Sequence, residues 1–311
     1  MLRRIPRARR GFTLAETVVA MTLTGVVLAL VTTIAVRQQR ALADVADAAA
    51  LGAQLEDARA ILPADIRALT PSDGDVRDAR DTAFEFRSTI ASAIICDTAV
   101  GAIILAPSSA GPGTLANVTQ SIEPGDSAWV LTAGDSSDQW RSAPITAVST
   151  AAPGTCAPVA PALDATQRSI ARTRLALAGV PAGMPAGMPS GSTVGMPVRI
   201  TRPVRYSLYR ASDGDWYLGQ RDWNNTTHRL NIIQPVAGPL LSAARHGLAF
   251  TYFDSAGAPL ATPVQSSRSI ALVRIDLHGE TRSVRRALGA GATPTPGSDS
   301  TSVIVYLRNS K

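Results

Sequence analysis

From Thr17 to Val36 the chain reads TVVAMTLTGVVLALVTTIAV, a run without a charge. At roughly 1.5 Å per residue, a helix of that length rises about 30 Å and crosses the hydrocarbon core of a bilayer. One ionisable residue, Glu16, stands at the edge of the run. A carboxylate there is costly unless it is paired, which makes it a functional candidate. After Val36 the composition turns alanine-rich and charged, and Leu51, Leu55, Ala58, Leu62, Ile66 and Leu69 recur every three or four positions. That spacing draws one apolar stripe, so the membrane-length helix is expected to continue as an amphipathic helix laid on a globular domain. Pro63 lacks a backbone donor and predicts a kink or a restart there. The run Thr70-Pro71-Ser72-Asp73-Gly74 ends the helix.

Downstream the period changes from helix-like to strand-like. Short runs rich in branched and aromatic residues, separated by Gly, Pro, Ser and Asp, predict antiparallel strands over 83–87, 92–96, 102–105, 128–132 and 145–148. A hairpin is predicted from Val204–Arg210 through Ala211-Ser212-Asp213-Gly214 to Asp215–Arg221, because the Asp-Gly pair supplies the positive φ of a tight turn. Three more strands are expected over 248–254, 270–278 and 302–308. Residues 181–197, PAGMPAGMPSGSTVGMP, carry no charge and little that packs, and read as a flexible insertion. The fold class is α+β: a long N-terminal helix packed on a mostly antiparallel β domain.

Charge sharpens the picture at the N-terminus. The leader MLRRIPRARR holds five of the thirty basic residues and no acid; without it twenty-five basic residues face twenty-four acidic ones, a net charge of +1 against +6 for the whole chain. The basic excess is therefore a topogenic signal holding the N-terminus on the cytoplasmic side, and nucleic acid is not an expected partner of the processed chain. An export signal over residues 1–43, with Ala41-Leu42-Ala43 as its cleavage site, is the alternative. It would serve a secreted or membrane-tethered binding domain or enzyme. Against it, the apolar run exceeds the roughly 7 to 15 residues of a signal-peptide core and carries Glu16 at its edge.

Arg10-Gly11-Phe12-Thr13-Leu14-Ala15-Glu16, abutting a membrane-length apolar run, resembles the prepilin leader of type IV pilins and type II secretion pseudopilins. The resemblance implies cleavage by a prepilin peptidase after Gly11, with Phe12 becoming the N-methylated first residue. Gly11, lacking a side chain, lets the backbone enter a tight active site. In that family the carboxylate at the position of Glu16 neutralises the terminal amine of a neighbouring subunit, and in low dielectric such a pair offsets each partner's desolvation. A glutamate snorkelling to the headgroups is the plainer reading of the same residue. Gly238-Pro239-Leu240-Leu241, the run Leu248–Asp254 ahead of Ala256-Gly257, the alternating strand from Ser269 and Val305-Tyr306-Leu307-Arg308-Asn309 are similar to the ending of minor pilins of the W type and pseudopilins of the J class. Residues 101–200 lie outside that likeness.

The resemblance implies these boundaries: leader 1–11, transmembrane helix 12–36, amphipathic continuation 37–70, and an extracytoplasmic β domain 71–311. It implies as partners the prepilin peptidase, other pilin or pseudopilin subunits, an inner-membrane assembly platform and lipid. It further implies a non-catalytic subunit at a filament tip.

Enzyme motifs are not found in the sequence, and no cofactor or metal is expected. His228, His246 and His278 lack metal-ligand spacing and read as surface or strand-face residues. Asp73, Asp75 and Asp78, and again Asp135 and Asp138, match no EF-hand pattern and read as solvated turn aspartates. Cys96 and Cys156 are an even count in a domain expected outside the cytoplasm. Two readings stand: a disulfide closing a loop of about 60 residues, stabilising by about 4 kcal/mol in the chain-entropy model, or two separate thiols with Cys96 buried on its strand.

Overall fold

A computed structural model of the chain describes residues 13–107, 116–132, 139–154, 156, 163, 165–178, 194–285 and 295–307. It divides into two units. One holds the chain up to Ala50 together with residues 281–297; the other holds residues 51–280 and 298–311. Gly11, Phe12, Asp135, Asp138 and most of the 181–197 insertion lie outside the described residues.

Helix α1, Leu14–Arg67, belongs to the first unit up to Ala50 and to the second from Leu51. In the second unit its stripe of Leu51, Leu55, Ala58, Leu62 and Ile66 is buried, joined by Leu69 beyond the helix end. These side chains share a core with Phe84, Phe86, Tyr206, Phe250 and Tyr252. The helix runs through Pro63 without a break, which corrects the expected restart. Only the carbonyl of the exposed Arg59 loses a donor, one turn from the helix end, while buried Leu62 and Ile66 hold the turn on either side. A 3-10 turn at Pro71–Asp73 follows, closed by Gly74 at φ 83°. That left-handed conformation favours glycine.

Two cores share one pair of long strands. Around the helix stand β1 (Val76–Ala79), the first half of β2 (Ala83–Ala99), the second half of β8 (Pro197–Arg210), β9 (Trp216–Asn224) and, after the small β10 (Arg229–Leu230), β11 (Gln234–Leu240), β12 (Leu248–Phe253), β13 (Leu272–Arg285) and β14 (Thr295–Tyr306). The second core lies within β3 (Ala102–Leu105), β5 (Ser127–Thr132), β6 (Gln139–Ala151) and β7 (Arg172–Leu177), with β4 (Ala116–Val118) beside β2. The pairings β2–β3, β3–β7, β7–β6, β6–β5, β5–β8 and β8–β2 are all antiparallel and close a ring. The ring is a six-stranded barrel filled by Ile90, Ile95, Ile103, Val130, Leu175 and Ile200, among others.

The switch between cores is a register shift in β2 between Thr89 and Ala91. Before it, Phe84 and Phe86 face the helix; after it, Ala91, Ala93 and Ile95 face the barrel interior. An extra residue in one strand reverses which parity points inward, so one strand serves two cores.

Several strands differ from the sequence expectation. The runs 83–87 and 92–96 are one strand, since Ser88, Thr89 and Ala91 between them keep pairing with β8. Strands β1, β4, β7, β10 and β11 were not predicted. Strand β14 begins at Thr295 rather than 302, its Ser302 Oγ donating to Asp276 of β13 at 2.6 Å. At the end of the insertion Gly195 N donates to Ile95 O (2.8 Å) and Ile95 N to Met196 O (3.0 Å), so this end is pinned to β2.

Cys96 and Cys156 form a disulfide, with Cα atoms 4.7 Å apart, packed beside Ala106 and Leu163. It ties the end of β2 to the segment after β6. Removing it by Cys96→Ala with Cys156→Ala is expected to cost about 2–5 kcal/mol, as for native disulfides closing loops of this size. Urea unfolding of the full chain in mild detergent measures this, and an unchanged midpoint with unchanged slope would show that the bridge adds nothing.

Candidate functional site

The head of α1 is built by the first residues of the motif. Thr13 precedes the helix; its backbone N donates to Glu16 Oε2 at 3.1 Å, and Glu16 N donates to Thr13 Oγ1 at 3.3 Å. This reciprocal pair is a capping box, closing two of the backbone donors that every helix start leaves open. The threonine hydroxyl also donates to Glu16 Oε2 at 3.2 Å. The carboxylate thus rests at the positive end of the helix dipole, held by its own chain. Sequence reasoning singled out Glu16 but missed its partner, although Thr-x-x-Glu spells the box.

Past this cap the helix suits a membrane. Every residue from Thr13 to Ala43 is exposed, including Val18, Leu23, Val27 and Ile34. An apolar surface of that extent marks contact with lipid or with other helices. The polar groups within it are satisfied internally: Thr17, Thr22, Thr24, Thr32 and Thr33 each donate a hydroxyl to a carbonyl three or four residues back, at 2.7–2.9 Å. In lipid, where no water replaces a missing partner, this back-bonding removes the cost of carrying five hydroxyls.

A second constellation lies where α1 leaves for the sheet. Asp75, fully buried, accepts Thr70 N at 2.8 Å and Arg199 Nη1 at 2.7 Å; Arg199 Nη2 reaches Asp73 at 3.2 Å. The Arg199 guanidinium lies 5.0 Å from the ring of Trp129 and 5.2 Å from that of Trp140. Arg87, also near Trp129, donates to the carbonyl of Gly74. Burial raises the Asp73 carboxyl above its ordinary range despite the pull of Arg199. Burial, seconded by Arg77, lowers the Arg87 guanidinium. These aspartates are therefore not solvated turn residues: Asp75 and Asp73 clamp the helix exit to β8 through one shared arginine, their negative charge stabilised by it.

A third buried network stands where the two cores meet. Arg202 of β8 forks onto Asp126 with both bonds at 2.8 Å, and Asn225 Nδ2 donates to the same carboxylate at 2.8 Å. That hydrogen bonding raises the Arg202 guanidinium above its ordinary value. Gly125 sits at φ 98° with Asn225 atoms 2.8 Å from where a Cβ would be, so any side chain there would displace the asparagine.

The three histidines do not gather into one site. His228 and His246 are exposed at turns, both with positive φ, and His278 Nδ1 lies 2.9 Å from His246 O. Among the described residues no three His, Cys, Asp or Glu side chains cluster to hold a metal ion.

A family model described as the prokaryotic N-terminal methylation motif matches residues 6–32. No curated protein matches the chain, and no solved structure does. The motif covers the second half of the basic leader, the capping box and most of the apolar run, and it marks the chain as a type IV pilin-like precursor, a substrate of prepilin peptidase. Motif and exposed apolar helix together fit a single-pass inner-membrane anchor carrying a globular domain.

Proposed function

We propose that the chain is a minor pilin or pseudopilin, a non-catalytic subunit whose work is assembly. The observation that carries this reading is the head of α1: a carboxylate on a capped helix start, at the N-terminal edge of an unburied apolar helix, inside a methylation motif. Cleavage after Gly11 would place a new amine on Phe12, four residues from Glu16 and within reach of a neighbour's helix head. The two-core globular domain is larger than packing on one helix requires, which favours a place at the filament tip over one in its shaft. Other pilin-type subunits and the inner-membrane assembly platform are its partners in this reading, in a pilus or a type II secretion pseudopilus.

Sequencing the N-terminus of protein recovered from membranes tests it. The expected first residue is methylated Phe12; a start at Ala43 or Asp44 would instead identify an export signal. Gly11→Val should leave membrane-held precursor at full length, because a branched side chain closes the tight approach that glycine allows. Normal processing of that variant would remove the peptidase from the account.

A further inference from the structure

The face of the β1–β2–β8–β9 sheet turned away from α1 carries a cleft of about 420 Å³, lined by Arg80, Arg205, Arg221, Ser207, Tyr209 and Ile233, among others. It lies entirely within the second unit. Its volume falls in the range of small-ligand sites, roughly 300–1,000 Å³.

The charges in the cleft do not balance. Asp78 serves Arg80 at 2.8 Å and Arg205 at 3.6 Å; Glu85 serves Arg205 at 3.4 Å and Arg77 at 3.3 Å. Two carboxylates are thus shared among three arginines. Arg221 gets neither. It has no ion pair among the described residues, and its Nε is buried without a hydrogen-bond partner. Moreover, Arg221 stands directly opposite Arg205 in the β8–β9 register, where like charges repel. A buried N–H without a protein partner, beside a repelling neighbour, is costly, and a negative group in the cleft would offset that cost.

The backbone is shaped to keep the cleft walled. Gly219, on the same face, has Ile233 Cγ1 2.5 Å and Tyr209 Cε1 2.6 Å from the position of an absent Cβ. Any side chain at 219 would push both walls outward. Tyr209 and Ile233 thus give the cleft apolar and aromatic surface beside its guanidinium groups.

We propose that this cleft is a binding site for an oxyanion, a carboxylate or phosphate group on a short stem, held by Arg221 and Arg205 with the stem against Tyr209 and Ile233. Planar guanidinium groups match such oxygens in pairs, which distinguishes the site from a general positive surface. The group arrives either on a free metabolite-sized acid or on an acidic side chain of another protein, and both present the same chemistry.

Titration calorimetry of the full chain in detergent tests this with two probes, inorganic phosphate and N-acetylglutamate amide, against sodium chloride at matched ionic strength. The wild type is expected to bind at least one probe saturably. Phosphate alone would indicate a bare oxyanion; tighter binding of the glutamate derivative would indicate an acidic side chain. Arg221→Gln should weaken binding about tenfold or more, the loss of one charge-assisted contact, while its unfolding midpoint stays level or rises because the repulsion with Arg205 is gone. Arg221→Lys, which keeps the charge and loses the fork, should fall between the two. Absence of saturable binding by the wild type, or equal binding by Arg221→Gln, would overturn the proposal.

Discussion

Arg199→Met is expected to destabilise the globular domain by about 3–5 kcal/mol, the cost of breaking a buried ion pair from one side. The stranded partner decides the size. Asp75 has no solvent exposure and would keep only the Thr70 amide, whereas the Arg199 side chain retains 11 % of its own exposure and has two indoles around it. Losing the arginine is therefore worse than losing the acid. Replacing both, as Arg199→Met with Asp75→Leu, should recover part of the loss, since no fully buried charge remains although the Thr70 amide loses its acceptor and Asp73 its arginine. Urea unfolding of the full chain in mild detergent, followed through Trp129 and Trp140, reads both variants. A single-variant loss under about 1 kcal/mol would mean that the pair behaves as a surface salt bridge and that the helix exit is held by the Leu51–Leu69 stripe alone.

The helix was legible in the sequence because its signal is local and periodic. Leu51, Leu55, Ala58, Leu62 and Ile66 repeat at helical spacing, and burial follows that spacing residue by residue. The hairpin joining β8 and β9 was legible for a similar reason: Gly214 at φ 90° closes a turn that Asp-Gly announces. The barrel was not legible, since its closure rests on pairs such as Ala91 with Ile200 and Ala128 with Ile200, far apart in the chain. Strand β7, RTRLAL, carries two arginines, and β11, QPVAGPL, carries two prolines and a glycine, so neither shows strand composition. Asp75 and Arg199 are 124 residues apart, and turn aspartates ordinarily read as solvated; nothing local distinguishes one that will be buried. At the candidate site, Glu16 stood out by chemistry, an acid at the edge of an apolar run. Its capping partner was written three residues earlier.

That partner sharpens what Glu16→Gln will do. A capping box accepts glutamine as well as glutamate at the third helical position, because either side-chain oxygen can take the Thr13 amide. The substitution therefore removes the charge and keeps the cap, so cleavage after Gly11, membrane insertion and folding are expected to be unchanged. What it withdraws, in the assembly proposed above, is the negative partner for a terminal amine on a second subunit. In a medium of low dielectric that amine is left without a counter-charge, which costs several kcal/mol and should reduce incorporation by orders of magnitude. Glu16→Ala loses cap and charge together, and the extra loss of about 1 kcal/mol should appear as fraying at the helix head. Crosslinking of wild-type and variant chains to neighbouring subunits in membranes reads assembly, and hydrogen exchange at residues 14–17 reads the cap. If Glu16→Gln crosslinks as well as the wild type while Glu16→Ala frays, the carboxylate is a helix cap and nothing more, and assembly must be driven by the apolar surface between Thr17 and Val36.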